Sequence, residues 1–219
     1  MARALKSQRK GPQQARRAVV FLHGYGADGA DLLGLADVLA PHLPDTAFYA
    51  SDAPERCANN PYGYQWFPIP WLDGSTEEQA RASMALSIED INAFLDKVLA
   101  DEGLTPEHLA VVGFSQGTMM ALHVLPRRER AVACIVGFSG RLLEPELLET
   151  EAKTRPPVLL LHGDQDPMVP FADLGAAADA LAKAGFETYT HVMKGTGHGI
   201  SPDGLGAALQ FLTQHLKGQ

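Results

Sequence analysis

The chain has 219 residues, of which 46% are hydrophobic and 20% are charged, an ordinary globular composition that excludes fibrous and intrinsically disordered proteins. This length suits one domain with a sizeable core. No run approaches the roughly 20 apolar residues that a membrane-spanning helix needs, so we expect a soluble protein without stable membrane insertion.

The N-terminus is strongly basic. Residues 1–17 carry six Lys and Arg and no acid, and no apolar segment of a secretory signal follows them. We interpret residues 1–17 as a flexible basic tail and residues 18–219 as a single domain. Without the tail, 12 basic residues stand against 26 acidic ones, a formal charge of −14, which would repel nucleic acid.

Two cysteines, Cys57 and Cys134, lie far apart in the sequence. Neither belongs to a Cys-x-x-Cys pair or to the Cys/His spacing of a metal site. This usage is typical of reduced thiols in a cytoplasmic protein, and we predict that location.

Six short runs rich in Val, Leu, Ile and Phe predict strands at 18–22, 46–50, 109–113, 131–138, 157–162 and 187–193. Several are apolar on both faces, as in a buried parallel sheet. Amphipathic stretches predict helices at 30–40, 76–100, 116–125, 171–184 and 203–216. The alternation predicts a doubly wound α/β fold, a mostly parallel central sheet with helices on both faces and no large cap domain. Ligands then bind at the carboxyl ends of the strands.

One segment, Ser51 to Ser75, breaks this alternation; we call it the aromatic segment. It contains four prolines and five aromatic residues, which are Tyr62, Tyr64, Trp66, Phe67 and Trp71. Connections of this length in compact domains are usually functional. The segment is either a plug over the sheet edge or a wall or lid of an apolar substrate pocket, and we favour the pocket.

The sequence Gly113-Phe114-Ser115-Gln116-Gly117 is a GxSxG motif between a predicted strand and a predicted helix. That context is typical of the nucleophile elbow of α/β-hydrolases, in which glycines permit the tight turn that exposes the serine. Ser115 is therefore the predicted nucleophile. Ser139 also follows a predicted strand but lacks the second glycine spacing, so we interpret it as a turn residue.

A serine hydroxyl needs an imidazole to take its proton and a carboxylate to orient that imidazole. In this fold they follow the serine in the order acid, then histidine. His198 lies in a glycine-framed loop after the last predicted strand and is the predicted general base. Asp164 and Asp166 both follow strand 157–162 and compete for the role of the acid.

An oxyanion hole requires two amide donors. One comes from the residue after the nucleophile, here Gln116, and the other from a loop after an early strand. His23-Gly24-Tyr25-Gly26 is that loop, and we assign the second donor to the Tyr25 N–H. His23 is interpreted as scaffolding of the loop rather than as a second base.

The same loop supports a competing interpretation. Gly24 to Gly29 reads GxGxxG after a strand, with Asp52 near the end of the next strand, and this pattern occurs in dinucleotide-dependent oxidoreductases. Asp28, however, would place a carboxylate inside the turn that receives the pyrophosphate, and Ser115 would have no role. A non-catalytic binding module of the hydrolase fold is the other distant alternative.

The chain resembles the phospholipase/carboxylesterase family, which includes acyl-protein thioesterases and small bacterial carboxylesterases. The matching stretches run from about Val19 to Ser201: FLHGYGADG, GYQWFPI, VVGFSQGTMMALH, GFSGRL, LLHGDQDPMVP and GTGHGI. The resemblance implies a triad of Ser115, Asp166 and His198, and so selects Asp166 over Asp164. It also implies Tyr25 and Gln116 as the oxyanion donors.

We therefore expect a serine carboxylesterase that hydrolyses uncharged small-molecule esters of short to medium acyl chain through an acyl-serine intermediate. The alternative is an acyl-protein thioesterase or lysophospholipase, which would need a long open groove. No metal or organic cofactor is implied, and the resemblance admits a homodimer. The residues expected to bind the substrate are Tyr64, Trp66, Phe67 and Met168.

Two positions depart from the pattern of better-known relatives. Tyr25 stands where many of them have leucine, and Thr118 where many have glycine. We expect both side chains at the rim of the pocket, where they would affect substrate preference rather than the chemistry.

Overall fold

The computed structural model describes residues 2–218. Its strands are β1 (Ser7–Lys10), β2 (Arg17–Leu22), β3 (Thr46–Ser51), β4 (Glu55–Arg56), β5 (Tyr64–Gln65), β6 (Leu109–Phe114), β7 (Cys134–Phe138), β8 (Val158–Gly163) and β9 (Thr188–Met193). Its α-helices are α1 (Gly29–Leu33), α2 (Leu35–Leu39), α3 (Pro70–Asp73), α4 (Glu77–Glu102), α5 (Gln116–Val124), α6 (Pro145–Glu151), α7 (Ala172–Lys183) and α8 (Pro202–His215). No helix within this range is long and apolar enough to cross a membrane.

Seven strands form the central sheet in the order β1-β3-β2-β6-β7-β8-β9, and β4 pairs with β5 separately. All neighbours in the central sheet are parallel except β1 and β3. The predicted fold class, a mostly parallel sheet of the α/β-hydrolase type, is confirmed.

The buried strands are apolar on both faces because each face has its own core. In β2, Val20 and Leu22 belong to one cluster of buried side chains, with residues of α4, α5 and α7. Val19 and Phe21 belong to the other, with residues of α1, α2 and α8. Successive side chains of a strand point to opposite faces, so this division places helices on both faces of the sheet.

The long helix α4 has the predicted apolar stripe and clear end signals. Thr76 and Gln79 form a reciprocal capping box at its start, and Gly103 ends it in the left-handed conformation. Ile91, Leu95 and Val98 of the stripe are buried in one cluster with side chains of the sheet, so the helix packs on the sheet through this stripe.

The prediction of a flexible N-terminal tail is wrong for the residues of β1. Ser7–Lys10 pairs antiparallel with β3 and forms an edge of the sheet. Arg3 binds Asp90, whose side chain is 1% exposed, and Arg9 binds Glu102. Arg3 and Arg9 thus form ion pairs with acidic residues of α4, which are distant in the sequence. Those pairs could not be predicted from the sequence.

Candidate active site

The four loops that carry the predicted triad and oxyanion donors lie at one edge of the sheet. They follow β2, β6, β8 and β9, which are parallel neighbours or near neighbours in the sheet. The carboxyl ends of parallel strands share one edge, so the topology gathers segments that are distant in the sequence.

Ser115 lies in the sharp turn between β6 and α5. Its φ of +52° and ψ of −115° are outside the regions that most side-chain-bearing residues adopt. A Cβ on Gly113 would lie 2.5 Å from the Thr118 nitrogen, and one on Gly117 would lie 1.9 Å from the Leu22 oxygen. Only glycine fits at either position, so the motif has the structural basis that a nucleophile elbow requires.

The loop after β2 packs directly against the serine. A Cβ on Gly24 would lie 3.3 Å from the Ser115 Cβ, so Gly24 allows this close approach. His23 holds the loop, since its Nδ1 lies 2.7 Å from the Gly24 oxygen and its Nε2 accepts the Ala53 N–H at 2.9 Å. Burial lowers the pKa of His23. With both ring nitrogens engaged, His23 acts as scaffolding and has no free nitrogen to serve as a base.

Asp166 is the carboxylate that pairs with His198. Its Oδ2 lies 2.7 Å from the His198 Nδ1, and its side chain is fully buried. Its Oδ1 accepts the N–H groups of Met168 at 2.8 Å and Val169 at 2.9 Å. Burial acts to raise the pKa of Asp166, but the Val169 N–H and His198 outweigh it and lower that pKa. The carboxylate is therefore ionised at neutral pH and able to orient the imidazole.

Asp164 has a different partner. Its Oδ1 accepts the Gly195 N–H at 2.7 Å, and so it braces the loop that carries His198. A Cβ on Gly163 would lie 2.2 Å from the Thr196 oxygen, which shows how closely the two loops approach. The residue pattern left both aspartates as candidates for the acid, and in the structure only Asp166 is hydrogen-bonded to His198.

Sequence reasoning missed His162. This buried residue lies at the end of β8, with its Nε2 3.0 Å from the Val169 oxygen and 3.4 Å from the Asp166 Oδ2. It therefore borders the same carboxylate oxygen as His198. Its place four residues before Asp166 was the available signal.

His198 lies beside the elbow. Its ring centroid is 4.9 Å from that of Phe114, the residue before Ser115, and its side chain is 20% exposed. The loops after β6, β8 and β9 therefore meet at one place, with the imidazole open to solvent and its carboxylate closed off from it.

The two predicted oxyanion donors, Tyr25 and Gln116, directly follow Gly24 and Ser115 in the sequence. Gln116 is the first residue of α5, where an N–H has no acceptor within its helix. No backbone oxygen in residues 2–218 accepts the Tyr25 N–H. Both amides are thus available to a ligand.

The prediction that Trp66 binds substrate is wrong, because its side chain has no exposed surface. Its indole Nε1–H donates to the His23 oxygen at 2.9 Å, and its backbone N–H donates to the Gln116 Oε1 at 2.9 Å. At this residue the aromatic segment is a plug. Burial of an aromatic side chain with its N–H bonded is the stable outcome.

Tyr64 also differs from expectation. Its ring lies under the Arg56 guanidinium, 4.2 Å from that group's central carbon, and borders a groove formed with Leu5 and Pro54. Phe67 is half-buried, and Met168 is 49% exposed next to the acid. Phe67 and Met168 remain the candidates for contact with a substrate.

The side chains of Tyr25 and Thr118, both expected at the pocket rim, differ in burial and in hydrogen-bond partners. Thr118 is 1% exposed and donates to the Phe138 oxygen at 2.8 Å, so the expectation that it lies at the pocket rim is wrong. The Tyr25 hydroxyl donates to the Asp73 Oδ2 at 3.2 Å and contacts the aromatic segment.

The dinucleotide interpretation conflicts with the start of α1. The Asp28 carboxylate accepts the Asp31 N–H at 3.2 Å, and the Asp52 carboxylate accepts the Gly29 N–H at 3.0 Å. Two carboxylates therefore occupy the helix end that would have to receive a pyrophosphate.

A family model described as Phospholipase/Carboxylesterase matches residues 7–216. The chain belongs to the phospholipase/carboxylesterase family. The resemblance drawn from the motifs is thereby confirmed, and the match begins at the first residue of β1.

Two curated relatives of this family member cover nearly its whole length. Esterase YpfH of Escherichia coli strain K12 is 29% identical over an alignment of 207 positions, which covers 93% of this chain and 83% of YpfH. Acyl-protein thioesterase 1 of Saccharomyces cerevisiae is 30% identical over an alignment of 217 positions, which covers 93% of this chain and 95% of the yeast protein.

Among solved structures, that of esterase PE8 is similar to this chain with a TM-score of 0.91 and 39% sequence identity, covering 97% of this chain and all of PE8. Together with the family match, these similarities support an enzyme that hydrolyses esters.

Proposed function

We propose that this family member is a serine carboxylesterase that hydrolyses uncharged esters of short to medium acyl chain. The observation that carries the proposal is the meeting of four loops at one edge of the sheet. The strained Ser115 lies against the Gly24 loop, and His198 is bonded to the buried Asp166 at 2.7 Å.

The chemistry follows from these groups. The Ser115 Oγ attacks the ester carbonyl carbon while the His198 Nε2 takes the hydroxyl proton, and Asp166 stabilises the resulting imidazolium. The N–H groups of Tyr25 and Gln116 donate to the oxyanion of the tetrahedral intermediate. The intermediate then expels the alkoxide, which takes the proton from His198.

Deacylation repeats these steps with water. His198 takes a proton from a water molecule as its oxygen attacks the acyl carbon. The second tetrahedral intermediate releases the carboxylic acid as the Ser115 Oγ takes back a proton from His198. The acyl chain would contact Phe67 and Met168, the two candidate side chains with exposed surface near the elbow and the acid.

The experiment is hydrolysis of p-nitrophenyl esters from acetyl to palmitoyl by the wild type, by Ser115→Ala and by Ser139→Ala. We expect Ser115→Ala to lower kcat about 10⁶-fold, in line with triad knockouts elsewhere. Ser139→Ala is the matched control, because Ser139 also follows a strand at this edge and also has positive φ. Its kcat should stay within tenfold of the wild type, and a nearly active Ser115→Ala would refute the proposal.

The chain-length profile distinguishes the second candidate, an acyl-protein thioesterase or lysophospholipase. The yeast relative favours it, as do Tyr62 and Trp71, which are 86% and 73% exposed on the aromatic segment. A Ser115-dependent maximum at short or medium chains supports the carboxylesterase. A maximum at palmitoyl esters would support the second candidate instead.

The cytoplasmic location and a homodimer are also proposals. Buried, unpaired Cys57 and Cys134 support a reducing compartment. Fractionation of the native cells and light scattering of the purified protein would test the location and the dimer.

A further inference from the structure

The two proposed oxyanion donors differ in how their backbones are held. The Gln116 N–H is part of α5 and is fixed by the helix. Tyr25 lies in a turn between Gly24 and Gly26, and Gly26 has a φ of +79°. Glycines leave a backbone more conformational freedom than other residues do. Hydrogen bonds hold the Gly24 oxygen and the Gly26 N–H on either side of Tyr25, so the Tyr25 side chain is the remaining group that can set the direction of the amide between them.

Side chains of both donors bind the aromatic segment. The Gln116 carboxamide accepts the Trp66 N–H at 2.9 Å and donates to the Phe67 oxygen at 2.7 Å. The Tyr25 hydroxyl donates to the Asp73 Oδ2 at 3.2 Å. The aromatic segment is thus hydrogen-bonded to Tyr25 and to Gln116, the two residues whose N–H groups would donate to the oxyanion.

Asp73 is itself held in place. Its Oδ2 also accepts the Ile69 N–H at 2.8 Å, and its Oδ1 accepts the Ser75 N–H at 3.0 Å. Nearby, the Asn59 side chain donates to the Leu72 oxygen at 2.7 Å. The carboxylate is a fixed acceptor at the end of α3 rather than a mobile surface group.

The protonation states of the pair are also fixed. Burial, and after it the contacts with Cys57 and Asp73, raises the pKa of the Tyr25 hydroxyl well above its ordinary value. Burial acts to raise the pKa of Asp73, but hydrogen bonds from Ser75, Ile69 and Tyr25 outweigh it and lower that pKa. The phenol remains a donor and the carboxylate an acceptor across the neutral range.

We propose that the Tyr25 side chain is a positioning group, whose hydroxyl bond to Asp73 directs the Tyr25 N–H toward the oxyanion formed on Ser115. A tyrosine ring is rigid, with two rotatable bonds between the backbone and the hydroxyl. Fixing the hydroxyl therefore restrains the Tyr25 backbone between its glycines. This inference rests on the proposed function, since it assumes attack by Ser115.

An oxyanion donor acts on the transition state more than on the bound substrate, so its misalignment lowers kcat and leaves KM nearly unchanged. Complete loss of one donor costs about 10²- to 10³-fold in kcat. Releasing the hydroxyl misdirects the amide without removing it. We therefore expect a smaller loss, about tenfold, for Tyr25→Phe.

The test is a double-mutant cycle of Tyr25→Phe and Asp73→Ala, measured as kcat and KM on p-nitrophenyl butyrate. Active serine is counted by titration to completion with a p-nitrophenyl phosphonate, which leaves a stable adduct on the serine, so that a misfolded fraction does not enter kcat. We expect each single variant to lower kcat about tenfold or more with KM within twofold of the wild type. The double variant should be no slower than Asp73→Ala, because both changes remove the same bond.

Tyr189→Phe is the matched control. It also removes a tyrosine hydroxyl bonded to a carboxylate, that of Glu187, on the edge strand β9, and should leave kcat unchanged. Wild-type kcat in Tyr25→Phe, or fully additive losses in the double variant, would overturn the inference. If Ser115→Ala is inactive while Tyr25→Phe is normal, only this inference fails. If Ser115→Ala remains active, the proposed function fails first.

Discussion

Ser115 combines a chemical role with an uncommon backbone. Among residues 2–218, only Ser139 and Glu144 share its positive φ without being glycine. Such a conformation costs about 1–3 kcal/mol and persists only where the surroundings enforce it. Here Gly113 and Gly117, on either side of Ser115, pack closely against the backbone of Thr118 and Leu22, and this packing holds the Ser115 conformation. The strain therefore supports the proposed role, because it lies where four loops converge.

At the same scale, Asp164 and Asp166 in the loop after β8 should respond differently to the same substitution. Asp166→Asn should lower kcat on the order of 10⁴-fold, because an amide favours the wrong imidazole tautomer. Asp164→Asn keeps an oxygen that can accept the Gly195 N–H, so its loss of kcat should stay below about tenfold. Steady-state kinetics on p-nitrophenyl butyrate measures both. Equal losses in the two variants would contradict the assignment of the acid.

At the scale of elements, β1 shows how an exposed edge is protected. Without it, β3 would present unpaired backbone groups at the edge of the sheet. The segment is held by ion pairs of two kinds. Arg3 binds the buried Asp90, whereas Lys10 binds Asp37, whose side chain is 70% exposed. The two pairs should therefore contribute differently to stability.

Arg3→Ala should lower the free energy of unfolding by about 3 kcal/mol, because it leaves a buried carboxylate without its cation. Lys10→Ala removes an exposed pair of the same segment and should cost less than about 1 kcal/mol. Urea denaturation gives both values. Similar small losses would mean that water replaces the Arg3 contact and that the segment is held by the strand pairing alone.

The aromatic segment is an element with two sides. Trp66 and Gln65 are buried, whereas Tyr62 and Trp71 are exposed. The backbone is bonded to the loop after β2, where the Gly26 N–H donates to the Tyr64 oxygen at 2.9 Å and the Tyr64 N–H donates to the Ala27 oxygen at 2.8 Å. The aromatic segment is therefore bonded to the loop that carries Tyr25, and we expect it to stay in place when a substrate binds.

At the scale of the whole molecule, the formal net charge of −8 bears on the choice of substrate. A negative field lowers the local concentration of anions and is screened by salt. We expect p-nitrophenyl butyrate to have a higher kcat/KM than the monoanion p-nitrophenyl succinate, which has the same leaving group. The ratio should fall as salt rises from 10 to 500 mM. A ratio independent of salt would point to a local contact instead.

The sequence by itself determined the parallel sheet, the long helix and the elbow. Each depends on signals between near neighbours: apolar runs for β2, β6 and β8, the amphipathic pattern of α4, and the glycines around Ser115. The motifs and the order of Ser115, Asp166 and His198 also led to the family, which the family match confirmed.

Only the tertiary structure decided which groups of distant segments meet. It paired Asp164 with Gly195 and Asp166 with His198, buried Trp66 and Thr118, and placed residues 7–10 of the predicted tail in β1. Two aspartates two residues apart have the same local chemistry, and a basic segment has no acid of its own. Their roles depend on which partner the fold brings within hydrogen-bond distance. Sequence patterns report on residues that are close along the chain, so they cannot predict contacts between distant segments.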